Sequence, residues 1–188
     1  MPPEGSKPEV MPDRAHDAPA CLPAAFELIT GERSMRYAGV DGVIAAASIF
    51  GGRWRVTSPE GAPWFSLAPV GAPGSDDREV IPHQDPPVAT IMRDRRRGDA
   101  WVVRDPDGAV VMRAILNGAY EATLVDGNDV LVGRVFATST SVVVELGTPP
   151  TGMQCLALAL PLYFATTGAL RVEGIDKPKP DLALWGIG

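Results

Sequence analysis

Apolar residues in this chain fall on alternate positions over short runs, and turn residues separate the runs. In WVVRDPDGAVVMRAI (101–115), Trp101 and Val103, then Val110 and Met112, keep a period of two. That period marks half-buried β-strands. The connecting Asp105-Pro106-Asp107-Gly108 has turn chemistry: Asp favours the first position, Pro presets the second, and Gly tolerates the positive φ of a following bulge. Ser58-Pro59-Glu60-Gly61 repeats it type for type, and Asp126-Gly127-Asn128-Asp129 is a looser version without proline. Each turn follows an aromatic: Trp54 precedes Gly61, Trp101 precedes Gly108 and Tyr120 precedes Gly127, always by the same interval. The repeated unit is a β-hairpin. Isolated hairpins are unstable in water, so several must share one core.

Further strands are expected from Phe26 to Ala38 and from Thr140 to Gly147. Val43 to Phe50 (VIAAASIF) reads equally as a strand or a short helix. Val88 to Asp99 predicts a strand ending in an arginine-rich turn, and Gly71 to Pro87 reads as one long loop from its Pro, Gly and Asp content.

After these strands the pattern changes. Gly152 to Gly168, GMQCLALALPLYFATTG, lacks alternation and is apolar on every side of a helix. Such a helix must be enclosed. The prediction is a mainly β fold: a closed antiparallel barrel of hairpins around a C-terminal apolar helix near 152–168. Closure also removes exposed strand edges. Crossover helices between strands are missing, which argues against a parallel-sheet enzyme.

Residues 23–174 then form the one barrel domain. Residues 1–22, rich in Pro, Ala and charge, predict a flexible arm because they cannot bury enough surface to offset ordering entropy. Residues 175–188 make a tail whose Leu182, Leu184, Trp185 and Ile187 are expected to dock back on the body. The clean apolar part, Met153 to Ala165, is shorter than the ~20 residues a bilayer requires, and Pro161 interrupts it. No signal core opens the chain, so a cytoplasmic protein without a transmembrane span is expected.

Charge and chemistry narrow the function. A net charge of −6 opposes general nucleic-acid binding, which needs a basic face. Cys21 and Cys155 are not a disulfide framework, and His16 and His83 fit no metal spacing. Cys155 reads as a small buried hydrophobe and His83 as a solvated loop residue. There is no G-x-S-x-G elbow and no P-loop. Glu60, Asp107 and Asp126 sit where turn chemistry explains them. Asp126, Asn128 and Asp129 resemble a calcium loop only in part, because the other ligands and the bidentate Glu are missing.

The hairpin rhythm of WVVRDPDGAVVMRAI and YEATLVDGNDVLVGRVF, with TSVVVELG and the apolar run from Met153, resembles the tubby-like superfamily. Within it the likeness is to the branch of phospholipid scramblases and LURP-one-related proteins with bacterial relatives, and it covers Trp54 to Gly168. The resemblance implies an antiparallel barrel of about twelve strands threaded by a C-terminal helix. It also implies a non-catalytic module contacting anionic phospholipid headgroups or a protein partner, peripheral to a membrane, with no cofactor and no metal. Two positions depart from the family: Pro161 lies inside the helix, where it is expected to kink the axis, and LYFATTGAL lacks the acidic residue expected near the helix end. The calcium-binding segment and longer anchoring tail of eukaryotic scramblases are not found, so scrambling is not carried over.

One cluster promises recognition: Arg93, Arg95, Arg96 and Arg97 at the arginine-rich turn. Guanidinium groups chelate phosphate bidentately, so these four are the candidate anionic-ligand residues, partly neutralised by Asp94 and Asp99. The competing reading is a small-ligand protein or enzyme with a pocket built by the loop Gly71 to Pro87, since long loops on rigid scaffolds often carry function.

Overall fold

Turn chemistry cuts the chain into strands of five to nine residues, and the computed structural model describes residues 22–31, 33–147 and 154–170. The first six strands are β1 (Ala25–Ile29), β2 (Ser34–Gly39), β3 (Gly42–Phe50), β4 (Arg53–Thr57), β5 (Pro63–Pro69) and β6 (Arg78–Pro82). The next six are β7 (Ala89–Arg93), β8 (Ala100–Arg104), β9 (Val110–Leu116), β10 (Glu121–Asp126), β11 (Leu131–Ala137) and β12 (Ser141–Leu146). One helix, α1 (Gln154–Thr167), follows. Each strand pairs antiparallel with its sequence neighbour, and β1 pairs with β12 to close the barrel. The arm 1–20, Cys21 and the tail from 171 lie outside the described residues.

Three hairpins share one turn. In β4–β5, the Ser58 and Gly61 N–H groups donate to the Ala62 and Ser58 carbonyls, and the Ala62 N–H donates to the Ser58 hydroxyl. In β8–β9, Asp105, Gly108 and Ala109 repeat all three bonds. In β10–β11 they fall on Asp126, Asp129 and Val130. The pairing register slips at the matching place each time, next to Val56, Val103 and Leu124, which is the bulge that a positive φ before the second strand introduces. Gly61 and Gly108 have φ of 91° and 86°. The third unit corrects the sequence alignment: the residue equivalent to those glycines is Asp129, with φ 64°, and not Gly127. Tyr120 is likewise no counterpart of Trp101. It precedes its strand and is exposed, whereas Trp101 is buried.

Two other expectations change. VIAAASIF is strand, β3, with Ala45 and Ala47 fully buried and their neighbours Ile44, Ala46 and Ser48 less so, the alternation of a strand. The stretch Gly71 to Pro87 contains β6, whose alternating Val80 and Pro82 are buried, so it is two shorter connections and not one loop. Phe26 to Ala38 likewise divides into β1 and β2.

Inward side chains from all twelve strands join α1 in one core. Every residue from Leu156 to Ala165 is buried, so over that span no face of α1 meets solvent and the sheet encircles it. Hairpins around a buried helix are thus the architecture. Phe164 meets Trp101 edge-on, with ring centroids 5.9 Å apart, and Tyr163 at 5.8 Å. Pro161 lies inside α1 and has no N–H for the Ala157 carbonyl, yet the helix is continuous from Gln154 to Thr167. One turn earlier, the buried Tyr37 hydroxyl donates to the Leu158 carbonyl at 2.7 Å, giving a carbonyl beside the proline ring a partner from the wall. At the far end the Thr166 and Thr167 hydroxyls donate back to Leu162 and Tyr163 carbonyls, and Gly168, at φ 68°, ends the helix.

Candidate functional site

The arginine-rich segment connects β7 to β8 and is a folded turn. The Asp94 N–H donates to the Ala100 carbonyl at 2.8 Å, and the Ala100 N–H to the Arg97 carbonyl at 3.1 Å. The Asp94 carboxylate accepts the Arg96 N–H at 2.9 Å, a side chain closing its own backbone turn. Arg93 braces the loop from below: Nη2 and Nε donate to the Gly98 carbonyl at 2.6 and 3.1 Å. Its guanidinium also sits 5.8 Å from the centroid of the Trp101 ring, which itself packs on Phe164 of α1. The turn is therefore tied to the core through one stack of side chains.

Between this turn and the outer wall lies a hollow of about 480 Å³. Arg93, Arg95, Arg96, Arg104 and Arg113 line it, with Asp77 and Asp94 as the acidic members and Met92, Val102 and Val110 as an apolar floor. Strand register makes this assembly. Met92 pairs with Val102 and Val102 with Arg113, so the outward row of three neighbouring strands runs beneath the turn. Three of these arginines are engaged. Arg93 holds Gly98, Arg104 donates to the Gly108 carbonyl at 2.7 Å, and Arg113 meets Asp129 at 2.6 Å. Arg95 and Arg96 have no side-chain hydrogen bond or ion pair with any described residue. Asp94 does not neutralise them by contact, because its carboxylate serves the backbone.

Of the four arginines expected at the site, three line the hollow and Arg97 does not. Arg104 and Arg113 were missed. The signal that finds them is their outward position on strands flanking the turn, which requires the pairing register to read. A comparison on the same wall shows why this hollow stands out. A second, of about 390 Å³, holds Arg134, but Glu145 accepts from its Nε at 2.7 Å and Glu121 lies beside it. That arginine already has its anion.

The remaining candidates are structural. Asp126 accepts the Asn128 and Val130 N–H groups and Asp129 accepts Arg113, so their carboxylates are occupied by the hairpin. His83 is exposed, with its backbone N–H on the Trp64 carbonyl and its ring beside Gln84. Cys155 is half-buried in the first turn of α1. Among the described residues no three His, Cys, Asp or Glu side chains converge as a metal site would need, and no helix is long and apolar enough to cross a membrane. Two buried tyrosines have perturbed hydroxyls. Burial raises Tyr37 well above its usual value. Burial pushes Tyr163 up to about 12, offset in part by the adjacent Trp101, and no hydrogen bond of good geometry reaches its hydroxyl.

Compared with known proteins, the chain matches no family model and no curated sequence. It does match a solved structure, the X-ray structure of a protein from Arabidopsis thaliana. The two share 13% sequence identity at a TM-score of 0.55, over 77% of this chain and 91% of the plant protein. At that identity the similarity is one of fold.

Proposed function

We propose that this chain is a tubby-like protein of the scramblase and LURP-one-related branch, acting as a non-catalytic module that binds anionic phospholipid headgroups. The closed twelve-strand barrel around a buried helix supports the kinship, because that architecture is what the resemblance implies. The observation that carries the function is the hollow lined by five arginines, of which only Arg113 meets a carboxylate and two, Arg95 and Arg96, have no side-chain hydrogen bond or ion pair with any described residue. Its volume falls within the range of small-ligand sites, about 300–1,000 Å³. A lipid phosphodiester offers two non-bridging oxygens to the planar fork of a guanidinium, above the apolar floor of Met92, Val102 and Val110.

Sedimentation with phosphatidylserine-containing vesicles tests this. Each basic residue near an anionic surface contributes about 1 kcal/mol, so Arg95→Ala/Arg96→Ala/Arg97→Ala should weaken binding by about a hundredfold. Arg97→Ala alone should have the smallest effect of the three, since its side chain does not line the hollow. Equal sedimentation of the wild type and the triple variant would eliminate the lipid reading. A protein partner then becomes the reading to pursue.

A further inference from the structure

An antiparallel meander sorts its turns between the two ends of the barrel. At one end lie the turns 40–41, 58–62, 83–88, 105–109 and 127–130. The turns carry Asp41, Glu60, Asp85, Asp105, Asp107 and Asp129, joined by the adjoining Asp126, and only Arg104 and Arg113 reach into them from the strands, on Gly108 and Asp129. At the opposite end lies the arginine turn, and with it the tip of the β3–β4 hairpin. That tip is a two-residue turn, Gly51-Gly52, with φ of 57° and 75° and Phe50 paired directly to Arg53. It holds Phe50 out at 68% exposure, beside the half-exposed Ile49. The Arg55 guanidinium lies 4.9 Å from the Phe50 ring centroid. Phe50, Arg53, Arg55 and Ser66 enclose a hollow of about 310 Å³ with no carboxylate in its lining.

We propose that this tip is a second membrane contact, which with the arginine turn docks the barrel end-on against an anionic bilayer. Phe50 enters the boundary between headgroups and acyl chains, where an aromatic ring with a cation over its face is well placed. Arg53 and Arg55 meet lipid phosphates around it. The inference rests on the anionic-lipid reading above and adds to it an apolar anchor and an orientation.

Apolar exposure alone does not choose the end, because Val40, Val130 and Leu131 are exposed among the acidic turns. Charge does. A negative leaflet attracts basic segments within a Debye length of its surface and repels that acidic end. Acids also lie at the docking end, Asp76, Asp77, Asp94 and Asp99 in its turns and Glu79 and Glu121 on entering strands. Asp94 is bonded to the backbone, however, and the arginines of the same turns and strands offset these acids, so this end is near neutral where the other is acidic.

The test uses the full chain and vesicles of phosphatidylcholine with and without phosphatidylserine. Phe50→Ser should weaken binding to the phosphatidylserine vesicles by about tenfold, since most of a phenylalanine's transfer free energy is lost. Phe50→Trp should bind as the wild type, and Leu131→Ser, at the acidic end, should also be unchanged. Because these positions are exposed, all three variants should keep the wild-type thermal midpoint. If Phe50→Ser binds normally while the arginine triple variant is weakened, the end-on anchor is overturned and the headgroup reading survives. Weakening by Leu131→Ser in place of Phe50→Ser overturns it too, by placing the opposite end on the bilayer. A wild type that ignores phosphatidylserine vesicles ends both.

Discussion

In the lumen, each side chain from Leu156 to Ala165 is enclosed by neighbours on the wall and has no alternative place to go. At the arginine rim, Arg95 and Arg96 line an open hollow, and their guanidinium groups are uncommitted to any described residue. The two regions meet through one chain of contacts, Arg93 over the Trp101 ring and Trp101 edge-on to Phe164. The contrast separates two properties. Stability comes from the enclosed side, where volume and hydrogen bonding are tightly specified. Recognition comes from groups that contribute almost nothing to folding and are therefore available to a ligand.

Substitutions that cross that division test it, and the largest effect belongs to the lumen. Phe164→Ala should lose about 3–5 kcal/mol in denaturant unfolding, from lost transfer and the cavity left against Trp101 and Tyr163. A loss below about 1 kcal/mol would show that the site collapses freely and that the lumen is not close-packed. Next come the two buried tyrosines. Tyr37→Phe removes the wall's hydrogen bond to the Leu158 carbonyl and should lose about 1 kcal/mol. Tyr163→Phe removes a hydroxyl that has no hydrogen bond, so its stability should equal or exceed the wild type.

The same tyrosines set an alkaline limit. Their folded-state values are raised, Tyr163 to about 12, so above pH ~10 the unfolded chain releases protons that the folded chain retains. Stability is thus complete below pH ~10 and should fall as pH climbs toward 12, and Tyr163→Phe should flatten that fall. Urea titrations at stepped pH read it directly. The smallest effect on stability belongs to the rim: Arg95→Ala/Arg96→Ala should change unfolding by less than about 0.5 kcal/mol, while still weakening vesicle binding. A large destabilisation there would mean that the arginines hold the turn, and the separation of roles would fail.

How far the chain could be read in advance follows the same line. Turn chemistry at Ser58–Gly61 and Asp105–Gly108 is local, and those hairpins stand where the residues place them. The apolar run was legible because a helix with no polar face has only one kind of home. Tyr120 and Gly127 misled because a matching interval in one dimension need not match in register. There the positive φ fell on Asp129, a residue whose short polar side chain tolerates it. β6 was hidden in Gly71 to Pro87 because proline and glycine dominate the composition around a strand of only five residues. The arginine turn was visible as a run, but Arg104 and Arg113 join it only through the β7–β8–β9 register, which no single stretch encodes.

Pairing β1 with β12 has a consequence for how the molecule comes into being. Those strands are the most distant in sequence, and the segment that fills the lumen is synthesised after both. A ribosome thus delivers the whole wall before its filling, and the wall exposes its oily inner face until α1 emerges. Long-range closure of this kind is slow and leaves partly built sheets open to aggregation. A chain halted at Gly147 should accordingly show no cooperative melting transition, for it would be a cylinder with nothing to close upon.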